Sequence, residues 1–151
     1  MYRLPFALIP LVLVIVAAVL VAALTGGDPP ARAARVSAGH VGPGPVARTL
    51  SHGAYRVALR LSPNRPTASN HLAVRVTKAG RAVAGAKVTA RFDMVEMDMG
   101  NWTYKLPERS AGRYARKTSA PAMTGDWNLA VEVAPRGGAP FTVRVVDRAG
   151  V

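Results

Sequence analysis

The sequence predicts an all-β fold, an immunoglobulin-like β-sandwich preceded by one transmembrane helix and a Pro/Gly-rich linker. Three observations carry this. Residues 4–24 are apolar and uncharged throughout. The following stretch is dense in glycine and proline and has no apolar period. Beyond Gly53, apolar residues recur at every second position in short runs separated by turn signals. The expected organisation is therefore an anchor over 1–25, a flexible linker over 26–50 and a sandwich domain over 51–151.

The anchor follows from length. A helix of 21 residues at 1.5 Å per residue spans roughly 30 Å, the thickness of a bilayer's hydrocarbon core. A secretory signal has a shorter apolar region, about 7–15 residues, ending at a small-residue cleavage site. Ala31-Arg32-Ala33 has that composition but lies beyond Pro29-Pro30, far from the apolar end. An uncleaved signal-anchor is expected, in the cell membrane as a single pass with the domain on the extracytoplasmic side. The positive-inside count is close to a tie, with Arg3 on one flank and Arg32 and Arg35 on the other. The orientation rests on the short N-terminus before a long C-terminal domain.

The linker contains Gly26-Gly27, Pro29-Pro30 and Gly42-Pro43-Gly44-Pro45, a density that opposes helix and sheet alike. In the domain, Tyr55, Val57, Leu59 and Leu61 alternate with Ala54, Arg56, Ala58 and Arg60. Residues 63–70 read as a turn region, after which Leu72, Val74 and Val76 form a second run that stops at Lys78-Ala79-Gly80-Arg81. Ala86, Val88, Ala90 and Phe92 form a third. A strand resumes over 103–106, and a weaker one starts at Gly112-Arg113-Tyr114. Trp127, Leu129, Val131 and Val133 precede the Arg136-Gly137-Gly138 turn, and Phe141, Val143 and Val145 follow it. About seven short strands with one buried face each make a sandwich whose core holds Tyr55, Phe92, Tyr114, Trp127 and Phe141.

Composition narrows the function. The chain has no cysteine, which excludes disulfides, thiolate metal sites and a cysteine nucleophile. Lys+Arg 20 against Asp+Glu 8 gives a formal net charge of +12. The cations are spread through the alternating runs with no basic cluster or aromatic-basic RNA signature, which reads as a solvated basic face and not as nucleic-acid binding. His40, His52 and His71 are scattered, and neither a nucleophile motif nor a glycine-rich phosphate loop is present. No enzymatic activity is expected.

One stretch stands out: Asp93-Met94-Val95-Glu96-Met97-Asp98-Met99-Gly100-Asn101-Trp102. Thioethers are neutral, soft and polarizable donors that suit Cu(I) or Ag(I) better than zinc or magnesium. Met97 and Met99 share one face of an extended chain and Met94 has the opposite parity, so the three converge only through a bend, which Gly100 favours. Met123 lies in the loop before the Trp127 run and is a possible fourth sulfur donor. Asp93, Glu96 and Asp98 add negative charge, and the ring face of Trp102 is a candidate cover for the metal. The competing reading is that these methionines fill gaps in a small core and that Trp102 packs in the ordinary way.

Several segments in order resemble a known family: Val83-Ala84-Gly85-Ala86-Lys87-Val88, then residues 94–100, Gly112-Arg113-Tyr114, Met123-Thr124-Gly125-Asp126-Trp127 and Phe141-Thr142-Val143-Arg144-Val145. Over about residues 53–147 the chain resembles YtkA-like domains and the related FixH-like proteins. Val95 departs from that pattern, standing where a proline is common. The resemblance implies a membrane-anchored or exported bacterial protein with an immunoglobulin-like domain. Through the FixH branch it implies copper delivery to the assembly of cbb3-type oxidases. The expectation is thus a soft-metal binding or delivery domain with Met94, Met97, Met99 and Met123 as ligands and a copper-handling or membrane-complex protein as partner. The alternative is a non-catalytic structural or interaction module attached to a transport or respiratory complex.

Overall fold

The computed structural model describes residues 37–66 and 69–150, with backbone alone over residues 37–41. The apolar run at 4–24 expected as the membrane anchor lies outside the described residues. Among those described, no helix is long and apolar enough to cross a membrane, and every regular element is a strand.

The strands are β1 (Ser37–Val41), β2 (Val46–His52), β3 (Tyr55–Ser62), β4 (Asn70–Lys78), β5 (Arg81–Ala82), β6 (Lys87–Met94), β7 (Asn101–Leu106), β8 (Glu108–Ser110), β9 (Arg113–Thr118), β10 (Gly125–Ala134) and β11 (Phe141–Ala149). They form two sheets, one ordered β1-β11-β10-β6-β7 and the other β2-β3-β4-β9-β8 with β5 beside β4. All ladders are antiparallel except that of β1 on β11. The sheets face each other across one core of alternating side chains, as the period-two pattern requires. Val57, Leu59, Leu72, Val74, Val76 and Tyr114 come from one wall, and Phe92, Trp127, Leu129, Val131 and Val145 from the other.

The expected aromatic core is present. Trp127, Tyr114, Phe92 and Phe141 are buried, while Tyr55 is half-buried and tilts over the Phe141 ring at 4.8 Å. Tyr114 also ties the two ends of a loop together. Its hydroxyl donates to the Val83 carbonyl at 2.7 Å and accepts from the Ala86 amide at 3.0 Å.

The segment read as a flexible linker departs from expectation. Residues 37–41 and 46–50 belong to β1 and β2, and Gly42-Pro43-Gly44-Pro45 is the connection between them. The reason lies at Arg48. It pairs with the buried Leu59, so its register position is an inward one, yet β2 is an edge strand and the guanidinium stays exposed. Arg48 thereby breaks an alternation that Val46, buried, and Leu50, half-buried, otherwise carry. β1 is Ser-Ala-Gly-His-Val and has no periodicity to detect; it is held by its ladder to β11.

Candidate functional site

The methionine stretch occupies the end of the sandwich where β6 finishes and β7 and β10 begin. Two loops meet there, residues 95–100 between β6 and β7 and residues 119–124 between β9 and β10. Hydrogen bonds knit them to a common base. The Val95 amide donates to the Asp126 carbonyl at 2.8 Å, and the Asp126 amide donates to both Glu96 carboxylate oxygens, at 3.0 and 3.2 Å. The Trp127 indole N–H holds the Met123 carbonyl at 3.0 Å. On the far side of the second loop, the Tyr104 hydroxyl lies 2.8 Å from Ser119 Oγ and accepts from the Ser119 amide. A rigid indole pair underlies the whole end: Trp102 stands edge-on to Trp127 with ring centroids 5.3 Å apart.

The four methionines divide into two groups. Met94 is the last residue of β6, opposite Trp127, and is half-buried. Its Cε sits 2.5 Å from the position a Cβ on Gly125 would take, and Gly125 has φ 136°, so this glycine makes the room that Met94 fills. Met97, Met99 and Met123 are 51%, 41% and 37% exposed. The bend expected from Gly100 is present, with φ 78° in the left-handed region that suits glycine. The structure thus brings Met97, Met99 and Met123 to one exposed end and sets Met94 into the wall beneath. Trp102 is half-buried and spends its ring on Trp127.

The carboxylates are engaged locally. Asp93 accepts from Asn128 Nδ2 at 2.9 Å and lies 3.5 Å from Arg91 Nε. Glu96 receives the Asp126 amide, and Asp98 accepts from the Gly100 amide at 3.1 Å, fixing the bend. Among the described residues no group of three or more His, Asp or Glu is placed to hold a metal ion. The large side chains most exposed at this end are three thioethers and Val95, and a thioether is a neutral, soft and polarizable group.

The two histidine side chains described lie elsewhere: His52 stacks on Phe141 at 4.6 Å, and His71 is exposed on β4 opposite Ser62 and Lys117. Sequence reasoning missed two residues here. Val95, 51% exposed, adds an apolar side chain with no donor atom to the same end. Glu96, read as a charge that attracts cations, is the brace that joins the first loop to β10. Its separation of 30 residues from Asp126 leaves no local signal.

The sequence model of a family described as YtkA-like matches residues 50–132, from β2 into β10 and across both loops. No curated protein and no solved structure matches the chain.

Proposed function

The chain belongs to the YtkA-like family, and on that premise we propose that it is a non-catalytic, membrane-anchored extracytoplasmic domain, of immunoglobulin-like type, whose methionine end binds or passes Cu(I). The observation that carries the reading is the exposure of Met97, Met99 and Met123 on two loops braced to one base, while Asp93, Glu96 and Asp98 each accept a hydrogen bond from a neighbouring group. Side chains that only filled a core would be buried, as Met94 partly is. Neutral sulfurs left in solvent next to a fixed tryptophan pair are a soft-donor set awaiting a partner. A copper-handling or membrane-complex protein would be the source or the recipient of the ion.

A second reading has its own observation. Val95 is as exposed as Met97 and adjoins the same patch, which is what an apolar docking surface for a protein partner would require. The two readings separate in one experiment. The full chain in neutral detergent is titrated anaerobically with Cu(I) against a chelator, beside a Met97/Met99/Met123→Leu variant that keeps volume and apolarity but removes the sulfurs. Metal binding predicts Cu(I) uptake by the wild type, loss in the variant and no Zn²⁺ uptake by either. A wild type that does not compete for Cu(I) leaves the docking module.

A further inference from the structure

The β2-β3-β4-β9-β8 sheet presents a second feature on its outer face, away from the methionine end. Between Asp28 and Asp93 the sequence contains no carboxylate, so β2, β3, β4 and β5 carry cations alone. The one acid of this sheet, Glu108, has both oxygens taken by the Gly85 and Gly112 amides at 2.9 and 3.0 Å. The fold thus leaves the cations on the outer surface of this sheet without acids beside them.

The register makes that surface specific. Arg75 lies directly opposite Arg113 across the β4–β9 ladder. Like charges so placed repel and destabilise a sheet. Arg60 stands one strand over, opposite Ala73, with Ala58 opposite Arg75. Arg60, Arg75 and Arg113 are exposed, and none forms an ion pair with a carboxylate among the described residues. Between these long side chains the floor is made of alanines, Ala58, Ala73 and Ala115, which leaves an open groove of about 680 Å³ with no acid in its lining. Arg56 and Lys117 continue the positive surface beyond the groove. The outer face of the other sheet is unlike it. Its smaller groove, about 280 Å³, holds Glu132 between the rows of Arg91 and Arg144, so an acid offsets part of the positive charge there.

We propose that the arginine face of the β2-β3-β4-β9-β8 sheet docks on the phosphate headgroups of an anionic lipid surface. Charge complementarity supplies the attraction, and the repelling Arg75–Arg113 pair is relieved when phosphate oxygens lie between the guanidiniums, which bind such oxygens two at a time. The breadth of the face favours a surface over a peptide: the basic residues extend past the groove, and its alanine floor offers no deep pocket to seat a peptide's side chains. The inference draws on the anchored reading for one element, the tether that would hold this face near headgroups at high effective concentration. It is independent of copper.

The chain has no cysteine, so a single Thr49→Cys within the groove takes a unique environment-sensitive fluorophore, and Thr103→Cys on the other sheet serves as control. Full chain in neutral detergent micelles is doped with phosphatidylglycerol or phosphatidylcholine. The groove label should respond to phosphatidylglycerol alone, the control label to neither. Arg60→Gln/Arg75→Gln/Arg113→Gln should need at least ~10-fold more anionic lipid, and added salt should abolish the response as screening requires. Equal responses to both lipids, or an unchanged triple variant, overturn the proposal. So does a response saturated by inorganic phosphate or a poly-glutamate peptide in undoped micelles, which would assign the groove to a soluble ligand. Since none of these readouts involves Cu(I), failure here leaves the metal reading untouched, and failure there leaves this one.

Discussion

Trp127 and Met123 lie four residues apart, joined by an indole-to-carbonyl hydrogen bond, and belong to regions held together by different means. In the interior, side chains do the holding. Trp127 is 1% exposed, faces Met94 and Asp147 across two ladders and closes on Trp102. At the loop end the backbone is held instead, by Glu96, Asp98 and the indole, while the side chains of Met97, Met99 and Met123 are left in solvent. The fold dictates residue identity in the first region and only chain path in the second. What occupies positions 97, 99 and 123 is therefore free to answer to something outside the domain.

The largest expected effect lies in the interior. Trp127→Ala removes the biggest buried side chain and the indole that holds the Met123 carbonyl, and should cost about 3–5 kcal/mol. Urea melts measure this, and a change under about 1 kcal/mol would place Trp127 outside the structural core. Next is Tyr114→Phe. The ring volume is kept, yet the Val83 carbonyl and Ala86 amide lose their shared partner, so about 1–3 kcal/mol should be lost. Burial holds the Tyr114 hydroxyl above its ordinary pKa, so no ionisation complicates the measurement near neutral pH. A neutral result would mean that water replaces the hydroxyl at both groups.

The same contrast explains what could be read from the sequence. Interior strands were legible because burial imposes period two on Tyr55–Leu61, Leu72–Val76, Val88–Phe92 and Trp127–Val133, and β3, β4, β6 and β10 cover those residues. Edge elements were not. β2 hides its alternation behind Arg48, β8 is three exposed residues, and β1 depends on a partner more than a hundred residues away. The methionine stretch was visible by composition, and its bend by Gly100. The separation of Met94 from the others was visible only as parity, and Glu96 not at all, since its partner is set by tertiary pairing. The arginine face escaped for a related reason: no strand is unusual alone, and only the register sets Arg75 against Arg113.

A smaller effect tests the braces themselves. Glu108 is an exposed counterpart of Glu96, receiving the Gly112 and Gly85 amides across a loop junction. Those amides, Gly112 first, hold its carboxyl below the ordinary value of 4.5 against a weaker opposing effect of burial. A depressed folded pKa means that the stabilisation is complete above the unfolded value and is lost as pH falls through the folded one. Wild-type stability should therefore decline more steeply than that of Glu108→Gln as pH drops below about 4.5. Parallel pH profiles from denaturant melts would show that the carboxylate contributes nothing.

The smallest expected effect is the one that sharpens the contrast most. Met97/Met99/Met123→Leu should change stability by no more than about 0.5 kcal/mol, the scale of surface substitutions that break no cap, pair or cavity wall. The hydrogen bonds of this end run through backbone groups and through Glu96 and Asp98, none of which the variant alters. Met94→Ala belongs to the other regime. It empties the space against Gly125 and exposes the flank of Trp127, so it should be the costlier change although it removes one side chain and not three. Thermal melts of the two variants in the absence of metal decide the matter. If the triple variant proves the less stable, the exposed methionines pack against one another, and the loop end is a structural cap. If it melts with the wild type, the fold has no need of sulfur at those positions.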